Sequence, residues 1–224
     1  MHTFGHPADL ESLLTISLQW QIMLIEDAAE SLGSLYKTRH TGTFGQYGVF
    51  SFNGNKIITT GGGGMVLCAD PTAGQRLKHL TTTAKLPHSF EFEHNEYGFN
   101  YRMPNLNAAL GCAQMEQLEV FIANKRATAG LYAEYFAASD FKFVTEPQYA
   151  RSNYWLNAVI CPSETAKQQL LAESSSESIM LRPAWKPMHT LNMYHNCIKQ
   201  PLPVTELIAN RLVNLPSSMR ILAV

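Results

Sequence analysis

Lys56 lies in the stretch Ser51-Phe-Asn-Gly-Asn-Lys-Ile-Ile-Thr-Thr-Gly-Gly-Gly-Gly64, just after a short apolar run. An amine used covalently must reach a carbonyl and give up its proton, and burial promotes the loss of the proton. Glycines let backbone approach a bulky ligand closely, and the hydroxyls of Ser51, Thr59 and Thr60 are potential phosphate donors. Taken alone, the stretch reads more simply as a flexible loop with a solvated lysine. Upstream, Ile25-Glu-Asp27-Ala-Ala-Glu30 places carboxylates at the end of the run Gln21–Ile25. In open α/β sheets ligands bind beyond the C-terminal ends of the strands. Asp27 alone would equally serve as a cap of the following turn. A strand-end carboxylate followed by a strand-to-loop lysine is a more specific pair, because an acid facing a pyridine nitrogen turns that ring into an electron sink.

The elements that must position these groups follow from pattern. Asp9 to Gln21 reads as a helix, with Leu10, Leu13, Leu14 and Leu18 at helical spacing. Gln21–Ile25 reads as a short buried strand, and Gly48–Phe52 and Gly64–Ala69 read as two further short strands. Pro104 to about Ala138 predicts one long helix or two in series, with Ala108, Ala109, Ala113, Leu118 and Phe121 on its apolar face. Beyond it, Phe141–Val144, Tyr154–Ile160 and Ile179–Leu181 predict strands, and Ser163-Glu-Thr opens a capped helix. The fold class is therefore α/β, with an α/β region over 1–120 and a smaller α+β region over 121–224.

Composition narrows the function. With 17 Lys and Arg against 18 Asp and Glu, the net charge of -1 offers no footprint for nucleic acid or an anionic membrane. Cys68, Cys112, Cys161 and Cys197 are widely spaced and read as free thiols rather than a disulfide or zinc framework. His88, Glu91, Glu93, His94 and Glu96 fit no common ligand spacing, so no metal is expected. No apolar run reaches about 18 residues and no signal peptide is present, so a cytoplasmic location is expected.

Four stretches together carry a resemblance: Glu26-Asp-Ala-Ala-Glu-Ser-Leu-Gly-Ser34, the Lys56 loop through Met65, Tyr97-Gly-Phe-Asn-Tyr-Arg-Met-Pro-Asn-Leu-Asn-Ala-Ala-Leu-Gly111, and Arg182-Pro-Ala-Trp-Lys-Pro-Met-His189 with Asn214-Leu-Pro-Ser-Ser218. In order and spacing the chain resembles the DegT/DnrJ/StrS sugar-nucleotide aminotransferases, which have the aspartate aminotransferase fold (fold type I). The wording near Lys56 and Thr81–Lys85 is closest to enzymes that aminate 4-keto sugars on the routes to bacillosamine, legionaminic acid and perosamine. The resemblance implies pyridoxal 5'-phosphate as cofactor, Lys56 as its Schiff-base lysine, and Asp27 as the partner of the pyridine nitrogen. It implies Glu30 near the cofactor ring and Ser51 on the phosphate. Asn100 would reach the phosphate of a neighbouring subunit, in a homodimer with shared sites. Arg182 and His189 would belong to the substrate-side wall. Residues 1–120 would then be the C-terminal part of a large cofactor-binding domain and 121–224 a small domain. The reaction implied is transfer of an amino group from glutamate to the C4 ketone of a nucleotide-linked sugar.

The chain departs from that family at its start, where a large N-terminal segment with a glycine-rich phosphate turn and a ring-stacking aromatic is expected. Exposed sheet edge and weak cofactor binding by this chain alone are expected in consequence. Two other readings stay open: a catalytically inactive truncated fragment, and a related sugar dehydratase, although that group carries histidine where Lys56 stands here.

Overall fold

A computed structural model describes residues 1–220. In chain order the first elements are α1 (Leu10–Gln19), β1 (Ile25–Asp27), β2 (Leu35–Tyr36), β3 (Arg39–His40), β4 (Tyr47–Ser51) and β5 (Gly64–Cys68). Three helices follow: α2 (Pro71–Thr81), α3 (Asn105–Met115) and α4 (Leu118–Phe136). The remainder is β6 (Lys142–Phe143), β7 (Ala150–Arg151), β8 (Asn157–Ile160), α5 (Glu164–Ser176), β9 (Arg182–Pro183), α6 (Pro203–Ala209) and β10 (Leu212–Leu215). The chain divides into two compact units, Met1–Ile122 with Glu146–Asn153, and Ala123–Thr145 with the residues from Tyr154 onward. The division falls within α4, and the segment 146–153 lies with the first unit.

In the first unit β4 is the centre of a three-stranded sheet, parallel to β1 and antiparallel to β5. A second small sheet joins β3, β2 and β7. Phe50, Phe52, Ile58, Leu118 and Ile122 form the core, with Ala28 among them. Burial of each large side chain contributes about 1.5–3 kcal/mol. Asp9 caps α1, its carboxylate accepting from the Ser12 amide at 3.3 Å and the Ser12 hydroxyl at 2.6 Å. Of the helix's leucines only Leu10 is buried; Leu13 and Leu18 are exposed. Ile25, Val49, Met65 and Val66 are also exposed, so this sheet presents uncovered apolar surface.

The second unit is a four-stranded antiparallel sheet in the order β6-β8-β10-β9. β10 is buried at all four positions and sits between β8 and β9. Val159, Cys161, Val213 and Leu215 pack with Tyr132, Phe136 and Leu170. Ser163 caps α5 as its sequence suggests, accepting from the Ala166 amide at 3.0 Å. The strand expected at Ile179–Leu181 is instead β9, at Arg182–Pro183. Among the described residues no helix is long and apolar enough to cross a membrane.

One close approach ties the first sheet to its loops. Gly48 pairs with Glu26 and Leu67, and a Cβ there would lie 1.9 Å from the Gly42 carbonyl oxygen. That neighbour is backbone and cannot swing aside. Gly48→Ala should therefore lower stability by about 2 kcal/mol or more. Urea denaturation measures this, and a change below about 0.5 kcal/mol would contradict the close approach.

Candidate active site

Successive side chains of a strand point to opposite faces, and β1 uses this to separate its two carboxylates. Glu26 points inward and is 2% exposed, whereas Asp27 is exposed. The Glu26 carboxylate accepts from the amides of Gly42 at 2.7 Å and Gly45 at 2.8 Å, and from that of Phe44. His2 Nε2 completes the set at 3.1 Å. The Ala8 amide donates to His2 Nδ1 at 3.1 Å, so the ring proton sits on Nε2 and a neutral imidazole suffices. Burial pushes the Glu26 carboxyl upward, but the hydrogen bonds from His2, Gly45, Gly42 and Phe44 outweigh it and hold the group below the usual range. Residue type alone does not separate Glu26 from Asp27. Period-two alternation in Ile25-Glu-Asp was the signal that would have assigned the two acids to different jobs.

Asp27 keeps its main chain in the fold and its carboxylate outside the core. Its carbonyl accepts from the His2 amide at 3.0 Å, and Oδ1 accepts from the Ala29 amide at 3.1 Å. Glu30 is buried and accepts from the Phe4 amide at 2.7 Å. Burial raises its carboxyl above the usual range; the Phe4 amide and the Lys56 cation oppose that, and Asp27 adds to it. Asp27 and Lys56 therefore each lie within electrostatic reach of Glu30.

The Lys56 loop is fixed at both ends and in the middle. The Phe52 amide donates to the Gly63 carbonyl at 2.9 Å, and the Thr60 amide to the Phe52 carbonyl at 3.0 Å. Ile58, 1% exposed, anchors the loop in the core. From α3, Asn107 donates to the Thr60 carbonyl, and Gln114 accepts from the Thr59 amide at 3.3 Å. Lys56 is half-buried, in a turn where its amide donates to Asn53 at 3.0 Å. Of the three hydroxyls noted as phosphate donors, two are engaged within the loop. Thr59 donates to the Phe52 carbonyl at 3.2 Å and Thr60 to that of Gly62 at 2.8 Å. Ser51 Oγ accepts from the Asn53 amide at 3.3 Å, which leaves its own proton for a ligand.

The remaining candidates stand on other elements. Asn100 is exposed, on a segment paired with the end of α2 through the bridge to Thr82 and the Phe99 amide bond to Leu80 at 2.7 Å. Lys85, a second lysine that could compete with Lys56 for a carbonyl, sits over the Phe92 ring at 5.0 Å. In the second unit, Arg182 is exposed on β9 opposite Asn214, and His189 Nε2 lies 3.1 Å from Glu206.

The sequence pattern that defines the DegT/DnrJ/EryC1/StrS aminotransferases matches residues 1–222. The chain belongs to that family. GDP-perosamine synthase of Escherichia coli O157:H7 is 36% identical over 217 residues, which are 97% of this chain and 59% of that protein. The putative pyridoxal phosphate-dependent aminotransferase EpsN of Bacillus subtilis (strain 168) is 35% identical over 195 residues, 87% of this chain and 50% of EpsN. The crystal structure of the aminotransferase TlmJ from Streptoalloteichus hindustanus superposes with a TM-score of 0.92 at 25% identity, covering 97% of this chain and 59% of TlmJ. The chain thus spans between half and three fifths of the length of these relatives. Its fold is that of the family's pyridoxal-phosphate-dependent aminotransferases.

The Glu30 environment has a pH signature. Its folded-state value lies above the ordinary 4.5, so the folded chain binds more protons in the window between them. Stability contributed by this group therefore falls as pH rises through that window. In urea midpoints taken from pH 4.5 to about 7.5, Glu30→Gln should gain on the unsubstituted chain as pH rises. A difference that does not change with pH would contradict the assignment.

Proposed function

We propose that this chain supplies the lysine-bearing part of a pyridoxal-phosphate-dependent aminotransferase. Its substrate would be a nucleotide-linked keto sugar, aminated at C4 with glutamate as donor. The observation that carries the reading is the placement of Lys56. It stands beyond the end of β4, in a loop pinned by α3 and within electrostatic reach of Glu30, and the outward carboxylate Asp27 ends the parallel strand β1. Membership of the family gives the reaction class, and the name of the E. coli relative gives the sugar-nucleotide direction.

The residues present fit the cofactor's chemistry. It needs an amine for its aldehyde, an anion for its ring nitrogen and hydroxyl donors for its phosphate; Lys56, Asp27 and Ser51 are an amine, a solvent-facing carboxylate and a hydroxyl with an unengaged proton. When bound, pyridoxal phosphate supplies an electron-withdrawing ring that carries the amino group between donor and acceptor. The rest falls to the chain. Asp27 would face the ring nitrogen and hold its proton. Lys56 Nζ would take a proton from the carbon bearing nitrogen and return one in the opposite half-reaction. Glu30 lies within electrostatic reach of both. Ser51 would donate to the phosphate, and Asn100 would serve the site of a second subunit in a homodimer. Arg182 and His189 are assigned to the substrate side. A cytoplasmic enzyme with no metal and no nucleic-acid partner is the matching setting.

The test is a chimera that adds the unmatched part of the E. coli relative. After loading with pyridoxal phosphate and reduction with borohydride, peptide mapping should place the label on Lys56, and Lys56→Ala should abolish amino transfer. A label on Lys85, or full activity in the Lys56→Ala chimera, would overturn the reading.

A further inference from the structure

We propose that Glu96 is a positioning residue for Asn100, and that its bidentate pair with Arg76 is the latch that holds the Asn100 backbone against the end of α2. The inference rests on the assignment of Asn100 to a cofactor phosphate. Asn100 is exposed and stands on a stretch with little apolar anchorage: Tyr97 is 97% exposed, and Phe99 and Tyr101 are exposed as well. α2 buries none of its side chains either. Polar contacts therefore have to join the two. The backbone supplies a short ladder. The Phe99 amide donates to the Leu80 carbonyl at 2.7 Å, the Tyr101 amide to that of Thr81 at 3.0 Å, and the Thr83 amide to that of Phe99 at 3.0 Å. Water competes for such bonds, so each adds little by itself.

Side chains add the latch. Arg76 Nη1 and Nη2 donate to the two carboxylate oxygens of Glu96, the second at 2.5 Å. His79 Nε2, also on α2, lies 3.3 Å from Glu96 Oε1 and 2.8 Å from Asn95 Oδ1. An isolated surface ion pair contributes almost nothing, but a bidentate arginine within a network is the exception. The Arg76 guanidinium also holds the Glu96 carboxyl below the usual range, so the pair stays charged at neutral pH. What the latch restrains is a strained turn. Thr83 and Ala84 follow α2 with φ of 65° and 52°, in the left-handed region. A β-branched residue there is an outlier, and it persists only where its surroundings over-determine it. The Ala84 amide donates to the His79 carbonyl at 2.9 Å, and the Thr83 carbonyl accepts from His94 Nδ1 at 2.7 Å. Gly98 passes so close that a Cβ there would lie 2.4 Å from the Ala84 nitrogen. Release of Glu96 would let this turn relax and carry Gly98, and Asn100 two residues on, away from α2.

The experiment uses the chimera that adds the unmatched part of the E. coli relative. Hydrogen–deuterium exchange is followed in the peptide 97–103. Pyridoxal phosphate affinity is measured for Glu96→Gln, Glu96→Asp, Asn100→Ala and the double variant Glu96→Gln/Asn100→Ala. Glu96→Gln should speed exchange across 97–103 by about tenfold and weaken cofactor binding by about fivefold. Glu96→Asp, which keeps the charge, should restore most of both. In the Asn100→Ala background Glu96→Gln should have no further effect on affinity, as required of a residue that acts through Asn100. Unchanged exchange in Glu96→Gln would overturn the latch. Equal losses of affinity in the two backgrounds would point to general loosening and overturn the positioning role. If Asn100→Ala leaves affinity unchanged while Glu96→Gln still speeds exchange, the assignment of Asn100 fails, and the positioning role falls with it.

Discussion

The first unit depends on one buried anion. Glu26 gathers three backbone amides of the loop 42–45 and the His2 imidazole around a single carboxylate, in the middle of a sheet edge. A buried charge is stable only when its hydrogen-bonding capacity is filled, and here it is filled by groups that would otherwise need partners of their own. The loop is drawn across β4 as a result, which is why position 48 has no room for a side chain. The same contact fixes which face of β1 is inside, and so leaves Asp27 turned outward.

From that fixed strand the candidate site follows by short steps. The parallel pairing of β1 with β4 brings the end of one strand level with the other, Asp27 opposite Val49. Two residues beyond Val49 the strand ends at Ser51, and the loop that follows is closed on itself by Phe52, Thr60 and Gly63. Ile58 in the core and Asn107 on α3 fix the part that follows the lysine. Lys56 is thus presented by a rigid frame, the condition under which a covalent amine can meet a carbonyl in one defined geometry.

Much of this was legible in sequence where a residue type has a single common use. The glycine run, the lysine after an apolar strand and the carboxylates at the end of another are local signals, and β4, β5, α3 and α4 lie where their patterns put them. What was not legible depends on tertiary contact. Glu26 and Asp27 are chemically near-identical neighbours, and only the facing of β1 separates them. Thr59 and Thr60 carry the same hydroxyl as Ser51, yet loop closure engages theirs. α2 has a good start in Asp70-Pro71 but a glycine within it, a polar sequence and no buried residue, so periodicity did not announce it. α1 shows the reverse: its leucines recur at helical spacing, and most of them are uncovered in this chain. The segment 146–153 lies with the first unit because β7 pairs with β2, a contact between residues far apart in the chain.

The division of labour between the two adjacent carboxylates is the centre of the account, and a paired titration addresses it directly. Glu26→Gln and Asp27→Asn would be made in the chimera that includes the unmatched part of the E. coli relative, and urea stability and pyridoxal phosphate affinity measured for both. The account predicts that Asp27→Asn changes stability by less than about 0.5 kcal/mol while weakening cofactor binding by about tenfold or more. It predicts that Glu26→Gln lowers stability by about 3 kcal/mol. Undiminished cofactor affinity in Asp27→Asn, or equal losses of stability in the two variants, would contradict it.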